Sequence, residues 1–260
     1  LASGGGGVCF SGPVAAGEGS EEAKKKRDPH DAGGESIMKM GLMILVAAAG
    51  SSVAMGDTVD ARYVGIAGGS GASHLRVGST TFYAGHMVHE FTSGDREGER
   101  FSTFCIDLGE YANSSGATYQ IVDLADAPAP GVPYGQAVAD QINAVVANAV
   151  AQGWIDNRLQ ADTNQVGYLA KMGAIQAAIW EALGGDVKIN SSRTSDSLAY
   201  YYFQLMGQSF DDSLRVNGLR AMVAPGQQDM LYVVPLPPAA FAGMGLLAGL
   251  GGVRVLRRRK

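Results

Sequence analysis

Between residues 55 and 234 the apolar positions recur with two different periods. In the first stretch they alternate or gather in short runs at 62–66, 75–77, 80–83, Met87–Phe91 and 101–108, separated by Gly/Ser turns, which predicts strands. From Gly135–Ala151 the spacing becomes helical, and it is helical again over 164–183, where Gly184-Gly185 supplies a C-terminal stop. A third helix is expected around 197–206, and the apolar runs 219–223 and 230–234 read as closing strands. Strands, then helices, then strands predicts an α+β fold. The expectation is a single exported domain over 55–234, with a β-rich, sheet- or barrel-like half and an inserted helical half joined by the loop Ala127-Pro128-Ala129-Pro130-Gly131.

Outside that region the pattern changes. Residues 1–37 are rich in Gly, Glu and Lys with no periodicity, and read as disordered or as sequence upstream of the true start. Met38-Lys39-Met40 then opens a short positive region, 42–49 is an uninterrupted apolar run, and Ser52-Val53-Ala54 offers the small residues a signal peptidase reads. Residues 38–54 are therefore expected to be a signal peptide; a short core helix at 41–49 is the alternative. At the other end, Val234-Pro235-Leu236-Pro237-Pro238 precedes a charge-free glycine-rich stretch, 239–253, and then Arg254 and the cluster Arg257-Arg258-Arg259-Lys260. Residues 236–256 have about the length of a membrane span, with Arg254 snorkelling and the terminal arginines favouring a cytoplasmic C-terminus.

This order of elements resembles the PEP-CTERM class of sorting tails in its VPLPA-type variant, with Leu236 where the commonest form has Glu and Pro238 where the variant has Ala. The resemblance implies that an exosortase-type membrane protease reads the Val234–Pro238 region, removes the helix and delivers the protein to the cell surface or extracellular matrix. Residues 235–260 would then be a transient membrane anchor. A plain single-span tail is the alternative.

Composition narrows the function classes. With 46% hydrophobic and 17% charged residues in 260, the chain can fill a core, which excludes disorder throughout. Its 37 glycines follow no three-residue period, which excludes a collagen-like array. The net charge of −5 understates an asymmetry: basic runs occur at Lys24-Lys25-Lys26-Arg27 and at the C-terminus, and acidic residues outnumber basic ones in between. A general nucleic-acid binder needs a basic stripe, so nucleic acid is not an expected partner.

The chain has two cysteines, Cys9 and Cys105. If the leader is removed, Cys105 is alone outside the cytoplasm: buried and inert, paired between chains, or chemically used. Read as part of an alternating strand, Phe104, Ile106 and Leu108 share one face while Thr103, Cys105 and Asp107 share the other. The second clue is Gln176. On a helix it sits among Leu169, Met172, Ile179, Trp180 and Leu183, at the centre of an apolar stripe. A buried amide is costly unless it is hydrogen-bonded or used. One use joins both clues: the Cys105 sulfur attacks the Gln176 carbonyl, expels ammonia and leaves an internal thioester that an external amine or hydroxyl can open.

Phe104-Cys105-Ile106-Asp107 and Gln176-Ala177-Ala178-Ile179-Trp180 together resemble the two signature blocks of bacterial surface thioester domains, with Ile175 where Thr often precedes the glutamine. The resemblance implies that Cys105 and Gln176 form the bond, that Phe104, Asp107, Ile179 and Trp180 support it, and that the protein couples once, without turnover, to an amine-bearing surface or matrix protein. No cofactor or metal is called for. The competing readings are a noncovalent matrix or coat protein, with Gln176 hydrogen-bonded inside the core, and a secreted cysteine hydrolase or transpeptidase in which His86 or His89 approaches Cys105 across adjacent strands. His86 and His89 would face opposite sides of a strand, which argues against a metal pair. Asp107, Glu110, Asp123 and Asp126 read as a solvated acidic face, and Tyr200-Tyr201-Tyr202-Phe203 as aromatic packing onto the core.

Overall fold

The computed structural model describes residues 58–128 and 131–234. The expected upstream segment and leader, the centre of the 127–131 loop, and the tail from Pro235 onward lie outside the described residues. Eight strands and three helices follow one another: β1 (Thr58–Ile66), β2 (Ser73–Val77), β3 (Thr80–Ala84), β4 (Met87–Phe91), β5 (Arg100–Thr103), β6 (Ala117–Val122), α1 (Gly135–Ala151), α2 (Tyr168–Ala182), α3 (Asp196–Leu205), β7 (Leu219–Ala224) and β8 (Gln227–Val233). The fold is α+β. Among the described residues no helix is long and apolar enough to cross a membrane.

Six strands form one antiparallel sheet in the order β5-β4-β1-β6-β7-β8, and β2 and β3 form a separate hairpin. The hairpin turns on Gly78, whose φ of +57° suits the first position of a two-residue turn between twisted strands. Neighbours in the sheet, β6 and β7 are separated in sequence by all three helices. The two edge strands meet: beyond β5 the chain leaves β4 and runs antiparallel to β8, with Cys105 bridged to Met230. Leu231 N donates to Phe104 O (2.8 Å) and Ile106 N to Asp229 O (3.0 Å).

Helix α2 is enclosed rather than amphipathic. Ala170 and every residue from Met172 to Trp180 are buried, because α1, α3 and the β2–β3 hairpin all pack on this helix. A helix covered on all sides must be apolar all round, which the sequence between Leu169 and Leu183 provides apart from Lys171, Gln176 and Glu181. Gly173 makes the approach possible. A Cβ there would lie 2.7 Å from Leu198 Cδ1 and 2.8 Å from Ser73 Cβ, so α3 and β2 close onto α2 at the one place without a side chain. Ser73 Oγ then reaches Leu169 O at 3.1 Å. The largest fully buried side chains, among them Tyr119, Phe104, Ile106, Met172, Ile175 and Ile179, come from both sheet and helices. Each buried aliphatic or phenylalanine side chain stabilises the fold by about 1.5–3 kcal/mol relative to exposure.

Several expectations need correction. The strand expected over 101–108 ends at Thr103, because the chain exchanges β4 for β8 as its neighbour; residues 104–106 are buried on both sides, so Cys105 does not lie on a less apolar face. Helix α2 begins at Tyr168, not at 164, since Gly167 precedes it in the left-handed region (φ +73°). Strand β6, Ala117–Val122, was not expected, and β1 starts at Thr58 rather than at 62.

Candidate functional site

The exchange of neighbours after β5 creates the site. In an antiparallel bridge, alternate residues aim their backbone groups to opposite sides. Phe104 and Ile106 turn theirs to β8, which leaves the Cys105 N–H and C=O facing away from it, where β4 no longer runs. Buried backbone groups must find partners. Gln176 of α2 supplies both: the Cys105 N–H donates to Gln176 Oε1 (2.9 Å), and Gln176 Nε2 donates to the Cys105 carbonyl (2.8 Å). Gln176 is 1% exposed and Cys105 2%. The two residues singled out from sequence, 71 positions apart, are thus side by side in the core.

The sulfur has its own surroundings. One turn along α2 from Gln176, Trp180 directs its indole N–H at Cys105 Sγ, 3.4 Å away, and Phe82 of β3 meets the indole edge-on at 5.7 Å. On the opposite side, the Cys105–Met230 register brings residue 228 opposite residue 107. Gln228 Nε2 lies 2.9 Å from Sγ and 3.0 Å from Asp107 O, and the thiol donates to Asp107 O at 2.9 Å. Phe104 and Ile179 are fully buried beside these groups in the core.

Asp107 ends the sheet contact. Its carboxylate accepts from Gly109 N at 2.6 Å, which turns the chain, and burial raises its pKa against the opposing effect of the Gly109 and Glu110 N–H groups. Tyr134, just ahead of α1, donates its phenol to Ile106 O; its pKa is raised by burial first, then by the charges of Asp107, Asp229 and Cys105. Neither Tyr134 nor Gln228 was singled out from sequence. The available signal for the latter was slight: Gln227-Gln228-Asp229, a polar triplet at the head of the apolar run 230–234.

The other sequence candidates have partners of their own. His86 sits just before β4 rather than within it. Its Nε2–H donates to Leu159 O, so Nδ1 of the neutral ring accepts from Tyr168 Oη at 3.3 Å; the ring stacks on Phe104 at 5.1 Å. His89, in β4 opposite Phe101, pairs its Nδ1 with Thr103 Oγ1 at 3.0 Å. Burial lowers both histidines to about 4. The acidic face is dispersed: Asp123 pairs with Arg220 (3.1 Å) and Glu110 accepts from Gly226 N (3.1 Å). In the aromatic run, Tyr202 is buried and bonded to Glu181 and Tyr201 packs edge-on to Trp154, while Tyr200 and Phe203 are exposed. Val234 is the last described residue, its N–H held by Gly218 O at 3.0 Å; Pro235, Leu236, Pro237 and Pro238 lie outside the described residues.

Comparison of the chain with protein-family models, with curated proteins and with solved structures finds no match.

Proposed function

We propose that Cys105 and Gln176 form an internal thioester that couples the protein covalently, once, to an amine on a neighbouring protein or matrix component. The observation that carries this reading is the double hydrogen bond between the Gln176 amide and the Cys105 main chain. It holds the carbonyl to be attacked against the residue that bears the nucleophile. The Cys105 N–H on Oε1 is also a preorganised donor where negative charge develops as the carbonyl becomes tetrahedral.

In the first step Sγ attacks Gln176 Cδ. The Sγ–Cδ bond forms, the Cδ–Nε2 bond breaks, and the thiol proton leaves with the nitrogen as ammonia. In the second step an external amine attacks the same carbon, the Sγ–Cδ bond breaks, and a proton from the amine returns to sulfur. The net result replaces ammonia with the partner's amine, with no turnover. Burial of both residues keeps water from the acyl group until a nucleophile enters.

The wider reading is that of a thioester-type surface protein, exported through the 38–54 leader, held briefly by the 235–260 tail and processed by an exosortase-type protease. A noncovalent matrix or coat protein is the second reading, favoured by one observation: the intact Gln176 amide already satisfies both backbone groups of Cys105. Incubating the folded chain with a fluorescent alkylamine separates the two. Stoichiometric label on Gln176 that disappears in Cys105→Ala supports the thioester, and absence of label supports the noncovalent protein.

A further inference from the structure

We infer that Gln228 is the hydrogen-bond donor that stabilises negative charge on the Cys105 sulfur, acting with Trp180 when the carbon–sulfur bond forms and breaks. This rests on the thioester reading for its role in the reaction, but the donor itself can be tested without it. A thiol needs little help to be buried, since it is a small apolar group and a weak acceptor. Here two N–H donors from different elements nevertheless converge on it, the Gln228 amide of β8 at 2.9 Å and the Trp180 indole of α2 at 3.4 Å.

The geometry provides for both a neutral and an ionised sulfur. As a thiol, Sγ donates to Asp107 O. When that proton leaves, a negative sulfur faces a carbonyl oxygen, and the contact turns repulsive. The Gln228 NH₂ group faces both atoms, 2.9 Å from Sγ and 3.0 Å from Asp107 O, and can donate to each. Asp107 and Asp229 act on Tyr134 together with Cys105, and nearby carboxylates disfavour a thiolate. Neutral N–H groups are therefore the means by which these two elements can hold charge on sulfur. Their bonds strengthen as charge moves from the carbonyl carbon to sulfur, so they favour the transition state over the resting thioester.

Gln228→Met keeps the length of the side chain and removes both donors; Gln228→Glu adds a repelling charge. In the otherwise native chain, Gln228→Met should slow methylamine cleavage of the thioester about tenfold, the loss expected for one hydrogen bond to a charged group. In a Gln176→Ala background no thioester forms, and Cys105 alkylation by iodoacetamide reports the sulfur directly. There Gln228→Met should slow alkylation at fixed pH and move its pH profile upward by about one pH unit, and Gln228→Glu should move it further.

A residue that merely plugs the site predicts the reverse, faster alkylation once the plug is loosened. An unmoved profile, or faster alkylation in both variants, overturns the assignment. So does peptide mapping that finds ammonia lost from Gln228 instead of Gln176. If the native chain holds no thioester, the reading of the reaction fails, while the alkylation arm still decides what Gln228 does to the sulfur.

Discussion

The two buried histidines and the Cys105 site all place polar atoms in the core, and they are built differently. At His86 both ring nitrogens are matched, to Leu159 O and Tyr168 Oη, and at His89 Nδ1 meets Thr103 Oγ1 while Nε2 is buried without a hydrogen-bond partner. Desolvation dominates there, holding both rings neutral. Around Cys105 the Gln176 amide does the same work for a stranded backbone N–H and C=O. Gln228 and Trp180, however, direct further donors at a sulfur that has little need of them. Desolvation and the matching of buried groups account for the two histidines and for the Gln176 amide. Those further donors are what the proposed thioester chemistry would use.

The comparison is broken most severely by substitution. Cys105→Ala and Gln176→Ala should each abolish amine coupling, and the latter should also cost about 1–3 kcal/mol of stability, because Cys105 loses two backbone partners. His86→Ala and His89→Ala should destabilise by roughly 2–4 kcal/mol through cavities and stranded partners, yet leave coupling stoichiometry unchanged in the folded fraction. Denaturant unfolding and labelled-amine incorporation measured on the same four variants read both effects. Loss of coupling in a folded histidine variant would erase the distinction between the histidines and the Cys105 site.

Acid should act on the two buried histidines. Both imidazoles titrate near 4 in the fold against an ordinary 6.5, so the unfolded chain binds more protons between those values. Their contribution is present in full above pH 6.5 and is lost as pH falls toward 4, by roughly 3 kcal/mol per histidine. Asp107, whose pKa is raised, opposes this trend. Thermal unfolding across pH 4–7 should therefore show a steep decline below 6.5 that flattens in a His86→Gln, His89→Gln double variant.

Smaller still is the effect of Gly173→Ala, which pushes a methyl into Leu198 and Ser73 and should cost about 1–3 kcal/mol without touching the sulfur's donors. Amine coupling at unchanged stoichiometry, with a lowered unfolding midpoint in urea, is the expected pair of results. A loss of coupling instead would mean that packing across α2, rather than the groups at Cys105, governs the chemistry.

How much of this was legible in the sequence follows from what each signal reports. Helix α1 is observed over the expected span, Gly135–Ala151, because its periodicity is local. The pairing of Cys105 with Gln176 came from two short blocks and not from any pattern connecting them. The alternation over 101–108 continued smoothly through a point where the chain changes partners, since side-chain pattern carries no information about which strand lies alongside. For the same reason Gln228 was invisible: its place beside the sulfur depends on the Cys105–Met230 register, a contact between distant segments. Strand β6 was missed although Thr118-Tyr119-Gln120-Ile121-Val122 is β-prone; exposed Thr118 and Gln120 and partly exposed Ile121 and Val122 leave Tyr119 as its one buried anchor.

The proposed thioester is a covalent bond, and the mass of the untreated, freshly folded chain reports whether it has formed. A thioester requires a mass lower by one ammonia than that of the unmodified sequence, no titratable Cys105 thiol, and peptides carrying Cys105 and Gln176 joined after digestion at low pH. The full sequence mass, with a free thiol at Cys105 and an intact amide at Gln176, would contradict it.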